Sequence, residues 1–115
     1  MKRGDIYLVN FGKKYNSEFG KVRPALIIQN DTANRNIAKV EFKGVTVIPL
    51  STNIYAGDLR VLISKRDKLE QVSEICINEL CTLDLSRIFL DNILTVLTSD
   101  EINEVDNKLS RHLSL

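Results

Sequence analysis

A chain of 115 residues, 43% hydrophobic and 27% charged, has enough apolar material for one core and too little length for two, so a single domain is expected over residues 1–115. No apolar run is long enough to span a bilayer, and Met1-Lys2-Arg3-Gly4-Asp5 leads into a strand-like segment without the apolar core of a signal peptide, which points to the cytoplasm. The net charge of +1 favours no class of partner, but it is polarised: residues 1–68 hold 13 Lys+Arg against 6 Asp+Glu (+7), and residues 69–115 hold 3 against 9 (−6). Such a split suggests a basic face able to meet phosphates, unless the fold interleaves the halves and cancels the field.

In chain order, the β-branched and aromatic run of residues 5–11 predicts a first strand, with Tyr7, Val9 and Phe11 on one face and Ile6 and Leu8 on the other. Both faces being apolar implies cover on each side, as in a small barrel or a dimer. Residues 12–22 then lose all periodicity and read as a connecting loop with three lysines, two glycines, Tyr15 and Phe19. Lysines interleaved with aromatics suit single-stranded nucleic acid, whose phosphates need cations and whose bases need flat surfaces; the alternative is a solvated hairpin loop.

Arg23 closes that loop and precedes Pro24, which disfavours the helical region for the residue before it. The arginine is therefore expected extended, at the mouth of a second strand over residues 24–29 whose run Ala25-Leu26-Ile27-Ile28 asks for a central position. A turn or one helical turn follows, with a possible cap at Asp31 or Thr32. Residues 37–43 and 45–52 read as two further strand segments broken at Gly44, and Pro49, unable to donate to a ladder, marks an edge, a bulge or a strand exit. Just beyond it Ser51, Thr52 and Asn53 offer hydroxyls and an amide, which either cap the chain or line a site.

Strands are also expected at 59–63, 73–79 and 80–84, with short extended or helical pieces at 87–97. Asn78 and Glu79 interrupt an apolar stretch, so they have hydrogen-bonding partners or line a site. Cys76 and Cys81 read as buried thiols without a disulfide, and with His112 alone they supply too few ligands for zinc. Thr98 and Glu101 fit a capping box, and Ile102, Val105 and Leu109 continue an amphipathic helix to about residue 112. Five to seven short strands and a terminal helix suggest a mainly β protein, a compact barrel with helical decoration.

Several phrases in this order resemble the MazF/PemK (Kid) family of toxin endoribonucleases: Arg3-Gly4-Asp5-Ile6-Tyr7; Ser17-Glu18, Gly20 and Arg23-Pro24; Val47-Ile48-Pro49-Leu50-Ser51-Thr52-Asn53; Thr82-Leu83-Asp84; and Leu97-Thr98. The resemblance implies an SH3-like β-barrel with a C-terminal helix, a homodimer inhibited by a cognate antitoxin, and metal-independent, sequence-specific cleavage of single-stranded RNA that inhibits translation, with no cofactor. It further implies attack by the ribose 2′-hydroxyl on the adjacent phosphate, with Arg23 and Ser51 as catalytic residues. Glu18 matches a loop glutamate of the family and is the carboxylate candidate for catalysis. Tyr15, Ser17, Phe19, Lys21, Thr52, Asn53, Asn78 and Glu79 are the expected RNA-binding residues.

The chain departs from the family in carrying Ser17 where some relatives have histidine, and Asn78-Glu79 where many have an acidic residue followed by glutamine. Two other readings stand beside the nuclease: a CcdB-like toxin of the same fold that binds DNA gyrase, and a catalytically inactive binding barrel.

Overall fold

The computed structural model describes residues 1–12 and 21–115. Among these residues seven strands form: β1 (Asp5–Asn10), β2 (Val22–Ile27), β3 (Gly44–Ser51), β4 (Arg60–Ile63), β5 (Ser73–Cys76), β6 (Cys81–Asp84) and β7 (Ile88–Val96). Helix α1 (Asp31–Asn36) follows β2, helix α2 (Ser99–His112) ends the chain, and single 3-10 turns occupy Ile37–Lys39, Ile77–Glu79 and Leu85–Arg87. The strands pair in the order β4-β5-β3-β2-β1-β7, with β6 also on β3, and every pairing is antiparallel. A curled, barrel-like open sheet with a terminal helix is the expected fold class.

Alternation along the strands divides the core in two. Ile6, Leu26, Ile48, Leu50 and Ile75 turn to one face, where Val105 of α2 joins them, and Tyr7, Val9, Ala25, Ile27, Val45 and Val47 pack on the other. This is why β1 is apolar on both sides: each face of the sheet has its own core.

β3 is the organising strand. One of its edges carries β2, and its other edge carries β6 from Gly44 to Val47 and then β5 from Leu50. Pro49 lies at this handover, buried, so its missing N–H falls where the second edge is changing partners. It therefore sits inside a central strand and marks neither edge nor exit.

Three local expectations are corrected. Residues 37–43 form no strand, because α1 runs on into the turn at Ile37–Lys39 and the Lys43 ammonium donates to the carbonyls of Ile37, Ala38 and Val40 at 3.4, 3.2 and 2.9 Å. A cation on freed helix-end carbonyls stabilises the stop. The α1 cap is Asn30, whose side chain accepts from the Ala33 N–H at 2.8 Å. β5 ends at Cys76, and residues 77–79 turn.

The capping box of α2 is present, with Thr98 and Glu101 exchanging bonds of 2.9 and 3.2 Å. Glu101 does a second task. Its two oxygens accept from both terminal nitrogens of Arg66 at 2.7 and 2.6 Å, a fork that ties α2 to the link between β4 and β5.

Ile48 is fully buried, so Ile48→Ala should lower stability by about 2–5 kcal/mol, read by urea denaturation. The Arg66 fork, its largest cause, holds the Glu101 carboxyl below its ordinary value of 4.5. A depressed folded-state value means that this contribution is whole above pH 4.5 and fades as pH falls through the folded value. Glu101→Gln should therefore flatten the acid limb of a stability-versus-pH curve; an unchanged limb would contradict the assignment.

Candidate functional site

Antiparallel register assembles the site. β2 pairs with β3 through Ala25 and Pro49, and the same register carried two residues further along each strand brings Arg23 level with Ser51. Ser51 is paired with Glu74 on β5, and Glu74 with Leu62 on β4. A row Arg23, Ser51, Glu74, Leu62 thus crosses four strands on one face. The neighbouring row holds Ala25 and Pro49, paired with each other, and Cys76, paired with Arg60. Arg23 is half-buried and Ser51 is 7% exposed, and both lie where the sheet ends and the loops begin.

Charged groups of these rows act on the Cys76 thiol. Burial pushes the Cys76 thiol up to about 11; Arg60 and Arg23 pull it down, while Glu79 and Glu74 raise it further. Four charges therefore reach one buried sulfur. Cys81 is also raised, by burial first and then by Glu79. Thiols held this high are neutral at pH 7 and act as packing groups rather than nucleophiles.

Glu74 is the residue that sequence pattern missed. It is 2% exposed, and its carboxylate accepts from the backbone N–H groups of Tyr55 and Ala56 at 2.8 and 3.0 Å, with Arg60 Nη1 at 3.5 Å. A buried carboxylate is tolerable only with such donors. In the alternating run Ser73-Glu74-Ile75-Cys76 an acidic residue reads as solvent-facing, and nothing in the run reveals its partners at Arg60 and on the loop after β3.

The expected site residues distribute unevenly. Ser51 Oγ accepts from the Asn53 N–H at 3.1 Å, and Thr52 and Asn53 are exposed immediately beyond it. Lys21 is exposed at the base of the first loop with φ 64°, its carbonyl accepting from the Phe11 N–H at 2.8 Å. Asn78 is exposed and Glu79 half-buried on the turn after β5, where Glu79 lies on the cysteine side. Tyr15, Ser17, Glu18 and Phe19 lie outside the described residues. A cleft of about 300 Å³ opens beside Pro24 and Thr52, with Leu8, Leu69 and Leu94 as apolar wall and Lys68, Glu70 and Gln71 as polar lining. His112 is exposed at the end of α2.

A curled antiparallel sheet with a terminal helix, with Arg23 and Ser51 at its loop end, defines a small barrel-like domain. The family model described as PemK-like, MazF-like toxin of type II toxin-antitoxin system matches residues 2–113, and the chain belongs to that family. An Endoribonuclease MazF from Staphylococcus epidermidis is 34% identical over 119 residues, covering 100% of this chain and 92% of that protein. The fold is similar to that of MazF from Deinococcus radiodurans, with a TM-score of 0.78 at 19% identity, covering 100% of this chain and 97% of that one. It is similar also to a mycobacterial endoribonuclease in complex with its cognate antitoxin, with a TM-score of 0.76 at 21% identity, covering 100% and 96%. No described helix is long and apolar enough to cross a membrane.

Because Cys76 is buried and its thiol is raised to about 11, it should resist alkylation by iodoacetamide at pH 7.5 in the native protein and react after denaturation. Rapid native labelling, read by mass spectrometry, would contradict the buried row.

Proposed function

We propose that this chain is the toxin of a type II toxin–antitoxin module, a single-domain endoribonuclease that cuts single-stranded RNA, mRNA included, in the cytoplasm and so inhibits translation. What supports the reading is the β2–β3 register, which carried past its last pair aligns Arg23 with Ser51 at the loop end of the sheet, in a chain of the PemK-like and MazF-like family.

The ribose 2′-hydroxyl attacks the adjacent phosphate, and the bond from phosphorus to the next nucleotide's 5′ oxygen breaks. A cyclic phosphate and a free 5′-hydroxyl result. Negative charge builds on the phosphoryl oxygens, and a guanidinium on rigid backbone can meet two of them with parallel hydrogen bonds. Arg23 supplies it. Ser51 Oγ holds a further oxygen or orients the nucleophile.

Arginine stays protonated at working pH, so Arg23 is not the base. Glu74 is not suited to that task either, since its oxygens are taken by two loop N–H groups and Arg60. Glu18, on the first loop, is the carboxylate assigned to proton transfer. Tyr15, Ser17, Phe19 and Lys21 line the RNA path on that loop, Thr52 and Asn53 on the second, and Asn78 and Glu79 on the turn after β5.

A cognate antitoxin is the regulatory partner. A second copy of the chain is the other: β7 pairs only with β1 in the sheet of the described residues and exposes Phe89, Leu90, Ile93 and Val96, apolar surface that a homodimer would cover. The gyrase-binding and inactive alternatives lack a comparable supporting observation.

Purified protein should cut single-stranded RNA in EDTA, and Arg23→Ala should lower the rate by about 100-fold or more with the circular dichroism spectrum kept. Ser51→Ala should lower it by a smaller factor. Full activity in Arg23→Ala, or gyrase-dependent DNA breakage without RNA cutting, would contradict the reading.

A further inference from the structure

The link from Ser51 to Arg60 is exposed along residues 52–59. An exposed link of this kind is ordinarily left to solvent, yet this one is held from below at several points. Glu74 takes the N–H groups of Tyr55 and Ala56. Lys108 of α2 donates to the carbonyls of Gly57 and Arg60 at 3.3 and 2.6 Å. Ala56 is kept at φ 59°, a left-handed conformation that a residue with a Cβ adopts only when its surroundings enforce it.

The loop so fixed displays one aromatic ring. Tyr55 is 71% exposed, and the Arg60 guanidinium carbon lies 5.0 Å from the ring centroid. Arg60 also points Nη1 at the Glu74 carboxylate, so the cation under the ring is itself anchored. The ring therefore stands on an oriented charge with most of its surface in solvent.

We propose that Tyr55 is a stacking platform for a nucleobase flanking the scissile phosphate, and that Glu74 and Arg60 are the positioning residues that hold it. The proposal rests on the ribonuclease reading and adds a specificity-determining contact to it. Single-stranded RNA offers unstacked bases, each with a π face, and an exposed aromatic ring binds such a face whatever the base. Because the loop is fixed in advance, little ordering cost is left for the binding step. Glu74 is the cross-strand partner of Ser51, so the anchor of the platform belongs to the row that ends on Arg23 and the hydroxyl. Platform and phosphate site are thereby held in register by one strand pair. The Arg60 cation adds attraction for the neighbouring phosphates without competing for the outer ring face.

The test begins by mapping the cuts that wild-type protein makes on a defined RNA pool. A short single strand is then built around one cut, with a 2′-deoxy sugar at the attacked nucleotide to block cleavage and 2-aminopurine in turn at each flanking position. Wild-type protein and Tyr55→Phe should quench the probe at one flanking position and bind alike. Tyr55→Ala should lose that quenching and bind about 5- to 150-fold more weakly, the range that one stacked base supplies. On cleavable RNA its loss in kcat/KM should fall on KM, with the unfolding midpoint unchanged. Glu74→Gln should reduce the quenching in the same position while the Tyr55 ring is still present, a change that a role in stability alone would not produce. If wild-type protein cuts and Tyr55→Ala quenches and binds as it does, the platform is overturned and the nuclease stands. If wild-type protein cuts no RNA, the nuclease reading is overturned and the platform with it.

Discussion

Glu74 carries a carboxylate almost sealed from water, and a charge in that position must be met by donors or the strand that bears it cannot stay folded. The donors are two successive backbone N–H groups of the loop after β3 and the side chain of Arg60. Satisfying this one group therefore fixes a loop that would otherwise be free to sample many shapes. The same residue is the register partner of Ser51. Core packing, loop shape and the position of the hydroxyl are consequently linked through one strand pair, and the loop cannot shift without uncovering the charge.

Charge is distributed by the same logic. The basic and acidic halves of the sequence do not form two opposed faces. Of the four ion pairs among the described residues, three join a cation of the first half to an anion of the second: Arg3 with Asp106, Arg60 with Glu74, and Arg66 with Glu101. Folding thus neutralises much of the polarity by drawing α2 and β5 against the early strands. What it leaves is more local: Lys21 and Arg23 at the entry to β2, and Lys68 beside Thr52 in the cleft. A few fixed cations at one end suit recognition of a phosphate better than a diffuse basic surface does.

The sequence was most legible where local chemistry and tertiary need agreed. Thr98 and Glu101 announce α2, which runs over Ser99–His112, and the apolar run after Pro24 announces a central strand. It misled where a distant contact decided the outcome. Residues 37–43 have strand-like types, but Lys43 folds back onto the carbonyls of Ile37, Ala38 and Val40 that follow α1. Pro49 read as an edge, a bulge or a strand exit, because nothing local reveals that β3 changes partners there. Of the candidate site, Arg23 and Ser51 were readable as types in suggestive places, and the register supplies what spacing along the chain could not, their common row. Glu74 was hidden, since an acidic residue in an alternating strand looks solvated until its partners in the 52–58 loop and at Arg60 are known. Tyr15, Ser17, Glu18 and Phe19 stay where the sequence left them, as the first-loop members of the proposed site.

The most direct test of the account is where RNA touches the protein. Backbone amide NMR on the protein titrated with a single-stranded oligonucleotide made uncleavable by 2′-deoxy substitution should show its largest shifts at Lys21, Val22 and Arg23, at residues 51–56 and at Glu74. Shifts confined to the outer edge of β7 or to α2, with the Arg23, Ser51 and Glu74 amides unmoved, would contradict it.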